Sequence, residues 1–263
     1  MSGKSIASMT VQDILEQPQS GIVGKATPRE VFELPDTELL LEPGGVVDCS
    51  GSNLDWADPD HTIKKVDLVS DAIPHFVMAV EGDDAEAKKE QADGSSDHGG
   101  WRAFGFSYDA PIVFEPGEDE SDDPRDFRDM NSANIKEKVQ RYRDLVDQRQ
   151  PTYVTPALVA IDYAFTAEFK NDLKRAQMIL GIGDGLFSDP AAFDKFLATA
   201  GPRKFIGFAA IGYGDDHDQF VAHLKQISES NPFFTYAALT GATDPFSFAL
   251  DLRLLSGTAK MAA

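Results

Sequence analysis

The amino-acid sequence predicts an α/β fold in which a doubly wound, mostly parallel sheet carries helices on both faces. From residue 152 onward, apolar runs of strand length alternate with longer segments whose apolar residues recur at helical spacing. Strands that alternate with helices of this length are joined by right-handed crossovers, which place the strands side by side in parallel. We therefore expect a sheet that is covered on both faces.

Six strands are expected, in the spatial order 3-2-1-4-5-6. The first strand ends in the apolar pair Val46-Val47, and a polar segment starting at Asp48 follows it directly. The third strand is short and is expected to run antiparallel at one edge of the sheet. The second to sixth strands are assigned to residues 101–108, 110–114, 178–183, 205–211 and 233–238.

Helices are expected between the strands, where apolar residues recur every three or four positions. Pro156 and Pro190 fall in first turns, where a missing N–H is tolerated, and Asp189 occupies the capping position before the second of them. Pro74 predicts a kink in the first helix. The predicted helices cover residues 61–91, 131–147, 155–169, 189–199, 216–228 and 244–255.

The chain is divided into an N-terminal arm (1–42), an α/β domain (43–257) and a short C-terminal tail (258–263). Several prolines and glycines interrupt the arm, so it is expected to pack on the domain or to dock to an assembly. Residues 115–129 form an acidic, proline-containing stretch, which predicts a solvated loop.

The charge balance bears on the class of partner. The chain has 44 acidic and 24 basic residues, which give a formal charge of −20. Such a field repels nucleic acids and anionic membranes, and it attracts cations and basic protein surfaces. Cys49 is the single cysteine, and no apolar stretch reaches the roughly 18 residues of a membrane span. We therefore expect a cytoplasmic protein that binds neither nucleic acid nor membrane.

Three polar segments are expected at the carboxyl edge of the sheet, where parallel α/β folds bind their ligands. Asp48-Cys-Ser-Gly-Ser52 follows the first strand, Pro151-Thr152 precedes a helix, and Asp184-Gly185 follows the fourth strand. Residues two apart in a loop that turns off a strand can point the same way, so the first segment can converge on one ion. The candidate metal ligands are Asp48, Ser50, Ser52, Thr152 and Asp184.

One or two carboxylates with several neutral hydroxyls form a hard oxygen site, which suits a divalent cation that keeps some of its waters. An ion with so few charged ligands stays electrophilic enough to take an acidic group from a partner. Thr155 is an alternative to Thr152, although Thr155-Pro156 has the pattern of a helix start. The competing interpretation is a vestigial site, in which Asp48 and the serines only cap the next helix.

This combination resembles the von Willebrand factor A (vWA) domain, in which Asp-x-Ser-x-Ser, a distant Thr and an Asp-Gly form a metal-ion-dependent adhesion site (MIDAS). The resemblance covers residues 44–257. Three later segments are similar to a bacterial intracellular branch associated with tellurium-resistance and stress operons: Phe205-Ile-Gly-Phe-Ala-Ala-Ile-Gly, Phe220-x3-Leu224 and Asn231-Pro-Phe-Phe. The chain departs from the family in two places, with Gln150-Pro151 before Thr152 and Gly183 before Asp184. Neither departure removes a ligand, but Pro151 stiffens the loop at Thr152.

The resemblance implies a protein–protein interaction module and not an enzyme. A Mg²⁺ ion, or Mn²⁺ or Ca²⁺, would bridge to an Asp or Glu of a partner. The implied role is an intracellular scaffold or adaptor beside an AAA-type ATPase or a stress-operon protein. One alternative is a structural component of a viral or injection-machine particle, tethered by the arm. A metal-dependent hydrolase is disfavoured, because no general base is evident beside the serines and no second metal cluster is evident.

Other chemistry-bearing residues have simpler interpretations. Cys49 is expected to be the variable position of the metal motif, facing the core. His217 stands among three aspartates, which is typical of a solvated turn at a helix start. Trp101, Phe104 and Phe106 are expected in the core and on the sheet, because basic neighbours that would suit a nucleic-acid surface are scarce.

Overall fold

The computed structural model describes residues 40–90, 100–107, 122–146, 151–169, 172 and 175–256. Within them, five parallel strands form one sheet in the order β2-β1-β3-β4-β5. The strands are β1 (Leu40–Asp48), β2 (Arg102–Phe106), β3 (Arg175–Gly183), β4 (Lys204–Gly212) and β5 (Phe234–Thr240).

Helices connect these strands, and the one assigned to residues 155–169 has the predicted bounds. In the described part of the chain they are α1 (Lys65–Glu90), α2 (Ile135–Leu145), α3 (Thr155–Phe169), α4 (Pro190–Leu197), α5 (Asp215–Ser230) and α6 (Pro245–Leu255), with a 3₁₀ helix at Gly51–Leu54. None of the helices in these ranges is long and apolar enough to cross a membrane.

The predicted doubly wound α/β fold is confirmed. The order of the five strands is the predicted order without the third predicted strand. The residues assigned to that strand, 110–114, lie outside the described ranges. Most of the predicted arm and the tail also lie outside them. The first strand is longer than predicted, because β1 starts at Leu40. Pro43 is tolerated in it because β1 pairs with β2 only from Gly44 onward, so that up to Pro43 one side of β1 is still an edge.

The sheet separates two apolar layers. Val47, Leu180 and Ile182 pack on the side of α1, α2 and α6. Val46 and Ile179, each one residue away from a member of the first group, pack on the opposite side with α3, α4 and α5. This alternation follows from the two-residue period of strands. Because β1 and β3 are paired in parallel, their carboxyl ends meet at one edge of the sheet.

The acidic stretch was predicted to be a solvated loop, and its described part contradicts that prediction. Asp126 and Phe127 are buried, and Arg128 forms an ion pair with Asp126 at 2.8 Å. The Phe127 N–H donates to the carbonyl of Ala103, which ties the segment to the outer edge of β2. Arginines within the acidic run neutralise its carboxylates locally and so permit burial.

The start of α1 lies later than predicted, at Lys65 instead of residue 61. The Asp58 carboxylate accepts hydrogen bonds from the backbone N–H groups of Asp60, Thr62 and Ile63, which holds the preceding residues in a closed loop. Aspartate competes with helix formation in this way when its side chain reaches backbone donors ahead of it. The loop therefore delays the helix and places Lys65 at its first turn.

Candidate metal centre

Two buried carboxylates lie at the carboxyl edge of the sheet. Asp48 is the last residue of β1, and Asp184 directly follows β3, its neighbour in the sheet. Their side chains are almost fully enclosed, with 1% and 4% of the residue surface exposed. Because β1 lies between β2 and β3, this is the point where the strand order reverses, and such points are where open α/β sheets bind ligands.

The loop after β1 is folded back on its own backbone. The N–H of Ser50 donates to Asp48 Oδ1 at 2.8 Å, and the hydroxyl oxygens of Ser50 and Ser52 are 2.9 Å apart. Asn53 Nδ2 and the Tyr142 hydroxyl both donate to the carbonyl of Asp48, at 2.9 and 3.2 Å. The structure thus brings Asp48, Ser50 and Ser52 together, as the sequence spacing predicted.

The second carboxylate oxygen of Asp48 is the unusual atom of this loop. Asp48 Oδ2 is buried and has no hydrogen-bond partner among the described residues, and it faces Gly183, where a Cβ would lie only 3.1 Å away. Burial, and then the charge of Asp184, raise the pKa of Asp48 to about 7. A buried carboxylate oxygen without a donor is costly, and a hard divalent cation is the kind of group that satisfies it. The donor set therefore fits such an ion.

Asp184 is held by two different groups. Its Oδ1 accepts a hydrogen bond from the N–H of Leu186 at 3.2 Å, and its Oδ2 accepts one from Lys65 Nζ at 2.9 Å. The side chains of Lys65 and Asp184 are both almost completely buried. The sequence interpretation missed Lys65, although a signal existed: Lys65 shares helical spacing with the buried residues Leu68 and Val69.

Thr152 is buried and lies in a loop that is tied to the segment after Asp184. Its N–H donates to the Ser188 hydroxyl at 3.0 Å, and the Ser188 N–H donates to the Thr152 carbonyl at 2.7 Å. Thr155 opens α3, as predicted, and its hydroxyl oxygen is buried without a partner in the described ranges. The backbone contacts of Thr152 with Ser188 thus hold this loop beside the segment after Asp184, and both threonines remain candidate ligands.

Asp189 differs from its predicted role. We expected it to cap α4, but its carboxylate makes no capping bond to that helix. Instead, its two oxygens accept from the N–H groups of Val154 and Thr155, at 3.1 and 3.0 Å, and so cap the start of α3. This contact between distant parts of the chain holds the Thr152 loop beside the loop that follows β3.

His217 was predicted to lie in a solvated turn, and the structure shows that it is buried. The helix α5 begins two residues earlier, which turns His217 toward the sheet. Its Nε2 lies 3.0 Å from the Thr240 hydroxyl at the end of β5, and burial lowers its pKa. His217 therefore joins the end of β5 to the first turn of α5. Among the described residues, no group of three or more His, Cys, Asp or Glu side chains is placed to hold a metal. An ion here would rely on the hydroxyls and on water.

Cys49 faces the core, as predicted, and is expected to be chemically inert in the native protein. Burial, and then the charge of Asp48, raise the pKa of its thiol far above the ordinary value. Because only the thiolate reacts, native protein at pH 8 should show no measurable labelling by a thiol-disulfide reagent within an hour, whereas guanidinium-unfolded protein should react fully. The single cysteine makes the readout unambiguous. Rapid stoichiometric labelling of the folded protein would contradict the burial of this loop.

No protein-family model matches the chain, and no curated protein matches its sequence. The chain is similar to the solved structure of the manganese-loaded TRAP protein of Plasmodium vivax, with 16% identity over 82% of this chain and 73% of that chain and a TM-score of 0.47. It is also similar to a von Willebrand factor type A protein from Catenulispora acidiphila, with 15% identity over 82% of this chain and 41% of that chain and a TM-score of 0.47. A third similar structure is an aerotolerance-related membrane protein of Bacteroides fragilis with multiple mutations to serine, with 14% identity over 83% of this chain and 99% of that chain and a TM-score of 0.45.

Proposed function

We propose that the chain holds one divalent cation beside Asp48 and Asp184 and uses it to bind a carboxylate of a partner protein. The observation that carries this proposal is Asp48 Oδ2, a buried carboxylate oxygen without a donor among the described residues. Two hydroxyls 2.9 Å apart and a second buried carboxylate accompany it. Mg²⁺ and Mn²⁺ suit this oxygen-rich set, and Ca²⁺ accepts the same ligand types.

Each proposed ligand has a distinct part in holding the ion. Asp48 supplies the ionised oxygen, Ser50 and Ser52 supply neutral oxygens, and Thr152 completes the set, with Asp184 close behind. Because the hydroxyl ligands are neutral and Asp184 is already paired with Lys65, part of the positive charge of the ion stays uncompensated. An Asp or Glu side chain of a partner can supply the missing charge and replace a water on the ion.

The surroundings of the site supply contact area for a protein. Trp56, Leu186 and Tyr213 are 36%, 50% and 38% exposed, and they lie on the loops that follow β1, β3 and β4. Trp and Tyr side chains are enriched at protein interfaces, and Leu186 adds exposed apolar surface. Asp55 and Asp216 are exposed at the same edge, so we expect a partner that surrounds its coordinating carboxylate with basic residues.

A binding role is favoured over hydrolysis by the state of the neighbouring groups. A general base needs a free acceptor within reach of the attacking water. The carboxylates would be engaged with the ion, Lys65 Nζ lies within hydrogen-bond distance of Asp184, and Nδ1 of His217, unpaired among the described residues, is buried away from solvent water. By its resemblance to vWA domains, the chain would act as an intracellular scaffold, with an AAA-type ATPase or a stress-operon protein as the implied partner class.

The proposal requires an ion with an exchangeable position, and this can be measured. Protein loaded with Mn²⁺ should enhance water-proton relaxation, and adding acetate should reduce the enhancement as the carboxylate replaces bound water. Asp48→Asn provides the control and should show no specific enhancement. If saturating acetate leaves the relaxation of the wild type unchanged, the ion is coordinatively closed. That result would replace partner binding with a structural role in a larger assembly.

A further inference from the structure

We propose that Lys65 makes the binding of metal and carboxylate cooperative, because its ammonium opposes the ion alone and favours the ion together with an anionic ligand. This inference rests on the proposed function and deepens it. The sequence features that suggested the metal centre did not include Lys65. Its role follows from its position beside Asp184.

The ammonium of Lys65 is fixed inside the centre. Lys65 Nζ lies 2.9 Å from Asp184 Oδ2, and both side chains are more than nine-tenths buried. The backbone N–H of Lys65 donates to the carbonyl of Asp55, which anchors the first turn of α1 to the loop that carries the serines. The residues one turn further along, Leu68 and Val69, are buried in the core and hold this face of the helix against the sheet.

The charges of the centre can be counted with both carboxylates ionised. Asp48, Asp184 and Lys65 together carry one net negative charge, and a divalent ion changes this to one net positive charge. A single partner carboxylate then makes the centre neutral. Without Lys65, the loaded centre would already be neutral, and the carboxylate would leave it negative. In a buried site such charge differences are only weakly screened.

The lysine therefore has opposite effects on the two binding steps. It competes with the ion for the charge of Asp184, so it weakens the binding of metal alone. Once metal is bound, the excess positive charge strengthens the binding of a carboxylate. Because linkage is reciprocal, a carboxylate must then strengthen the binding of metal by the same factor. The expected behaviour is a centre that fills well only when metal and partner are both present.

The test is a Mn²⁺ titration followed by the electron paramagnetic resonance of free Mn²⁺, with and without acetate at constant ionic strength. Lys65→Met should bind Mn²⁺ alone about tenfold more tightly than the wild type, and acetate should tighten Mn²⁺ binding severalfold in the wild type but little in the variant. Lys65→Gln keeps a polar group near Asp184 without the charge and should behave like Lys65→Met. Lys64→Met is the matched control, because Lys64 is only half-buried and its ammonium lies over the Trp56 ring.

The outcomes separate this inference from the function on which it rests. If the wild type binds Mn²⁺ and both Lys65 variants bind it equally well, with the same effect of acetate, the lysine is only a structural partner of Asp184 and the inference fails alone. If only the Lys65 variants bind Mn²⁺, the lysine blocks the centre and the proposed function fails for the natural chain. If none of the proteins binds Mn²⁺, both proposals are wrong.

Discussion

Gly45→Ala is expected to destabilise the domain by about 3 kcal/mol, because added volume in a close-packed core forces strain. Gly45 lies in β1, which has a neighbour strand on each side. A Cβ there would lie 2.3 Å from the Trp101 ring and 2.6 Å from the carbonyl oxygen of Leu180. The carbonyl belongs to the central strand β3, and Trp101 is fully buried edge-on against Phe76. Neither the carbonyl nor the ring can move aside without a large cost in free energy.

The matched control for this substitution is Gly201→Ala. The nearest atom to a Cβ at Gly201 is 4.0 Å away, so alanine there should change the free energy of unfolding by less than about 0.5 kcal/mol. Urea unfolding followed by circular dichroism measures both variants. A Gly45→Ala protein as stable as the wild type would show that Trp101 does not pack across β1, and the sheet geometry described above would be wrong.

Asp48→Asn is expected to have the second large effect. It should stabilise the metal-free protein at pH 8, but it should abolish specific binding of the ion. In the metal-free protein, burial and the charge of Asp184 raise the pKa of Asp48 from 3.8 to about 7. A raised pKa means that the folded state binds the proton more tightly than the unfolded state. This contribution to stability is therefore present below pH 4 and is lost as the pH rises through 7.

The asparagine variant removes the charge and keeps the shape. At pH 8 in the presence of a chelator, it should be more stable than the wild type by about 2 kcal/mol, because it buries no uncompensated carboxylate. Its stability should also change less between pH 4 and pH 8. Unfolding in urea across this pH range measures both effects. A variant that is less stable than the wild type at pH 8 would mean that the Asp48 carboxylate is already satisfied within the fold.

Much of the fold could be predicted because fully buried parallel strands have a strong sequence pattern. The runs in β3 and β4 are apolar almost throughout, and the helix that begins at Thr155 has a proline in its first turn. The start of β1 could not be predicted in the same way. Pro43, Gly44 and Gly45 are poor strand formers, and pairing with β3, joined by β2 from Gly44 onward, makes that segment extended.

The candidate site could be predicted only as far as local spacing and strand ends allow. Asp48 and Asp184 follow apolar runs, so the rule for carboxyl ends places them together. The ion pair of Lys65 with Asp184 joins residues 119 positions apart, and the contact of Asp189 with Val154 joins residues 35 apart. Such pairs depend on which loops become neighbours after folding. The three acidic neighbours of His217 likewise concealed the fact that its own side chain faces inward.

Thermal unfolding during titration with Mg²⁺, Mn²⁺ and Ca²⁺ tests the metal centre most directly. Wild type and Asp48→Asn should be compared with Asp55→Asn, which removes an exposed carboxylate from the same loop. An ion at about a hundredfold excess over its dissociation constant stabilises a fold by about 2.7 kcal/mol. We expect this shift in the wild type and in Asp55→Asn, and none in Asp48→Asn. If all three proteins respond alike, the cations only screen the surface charge of this acidic chain, and the metal centre does not exist.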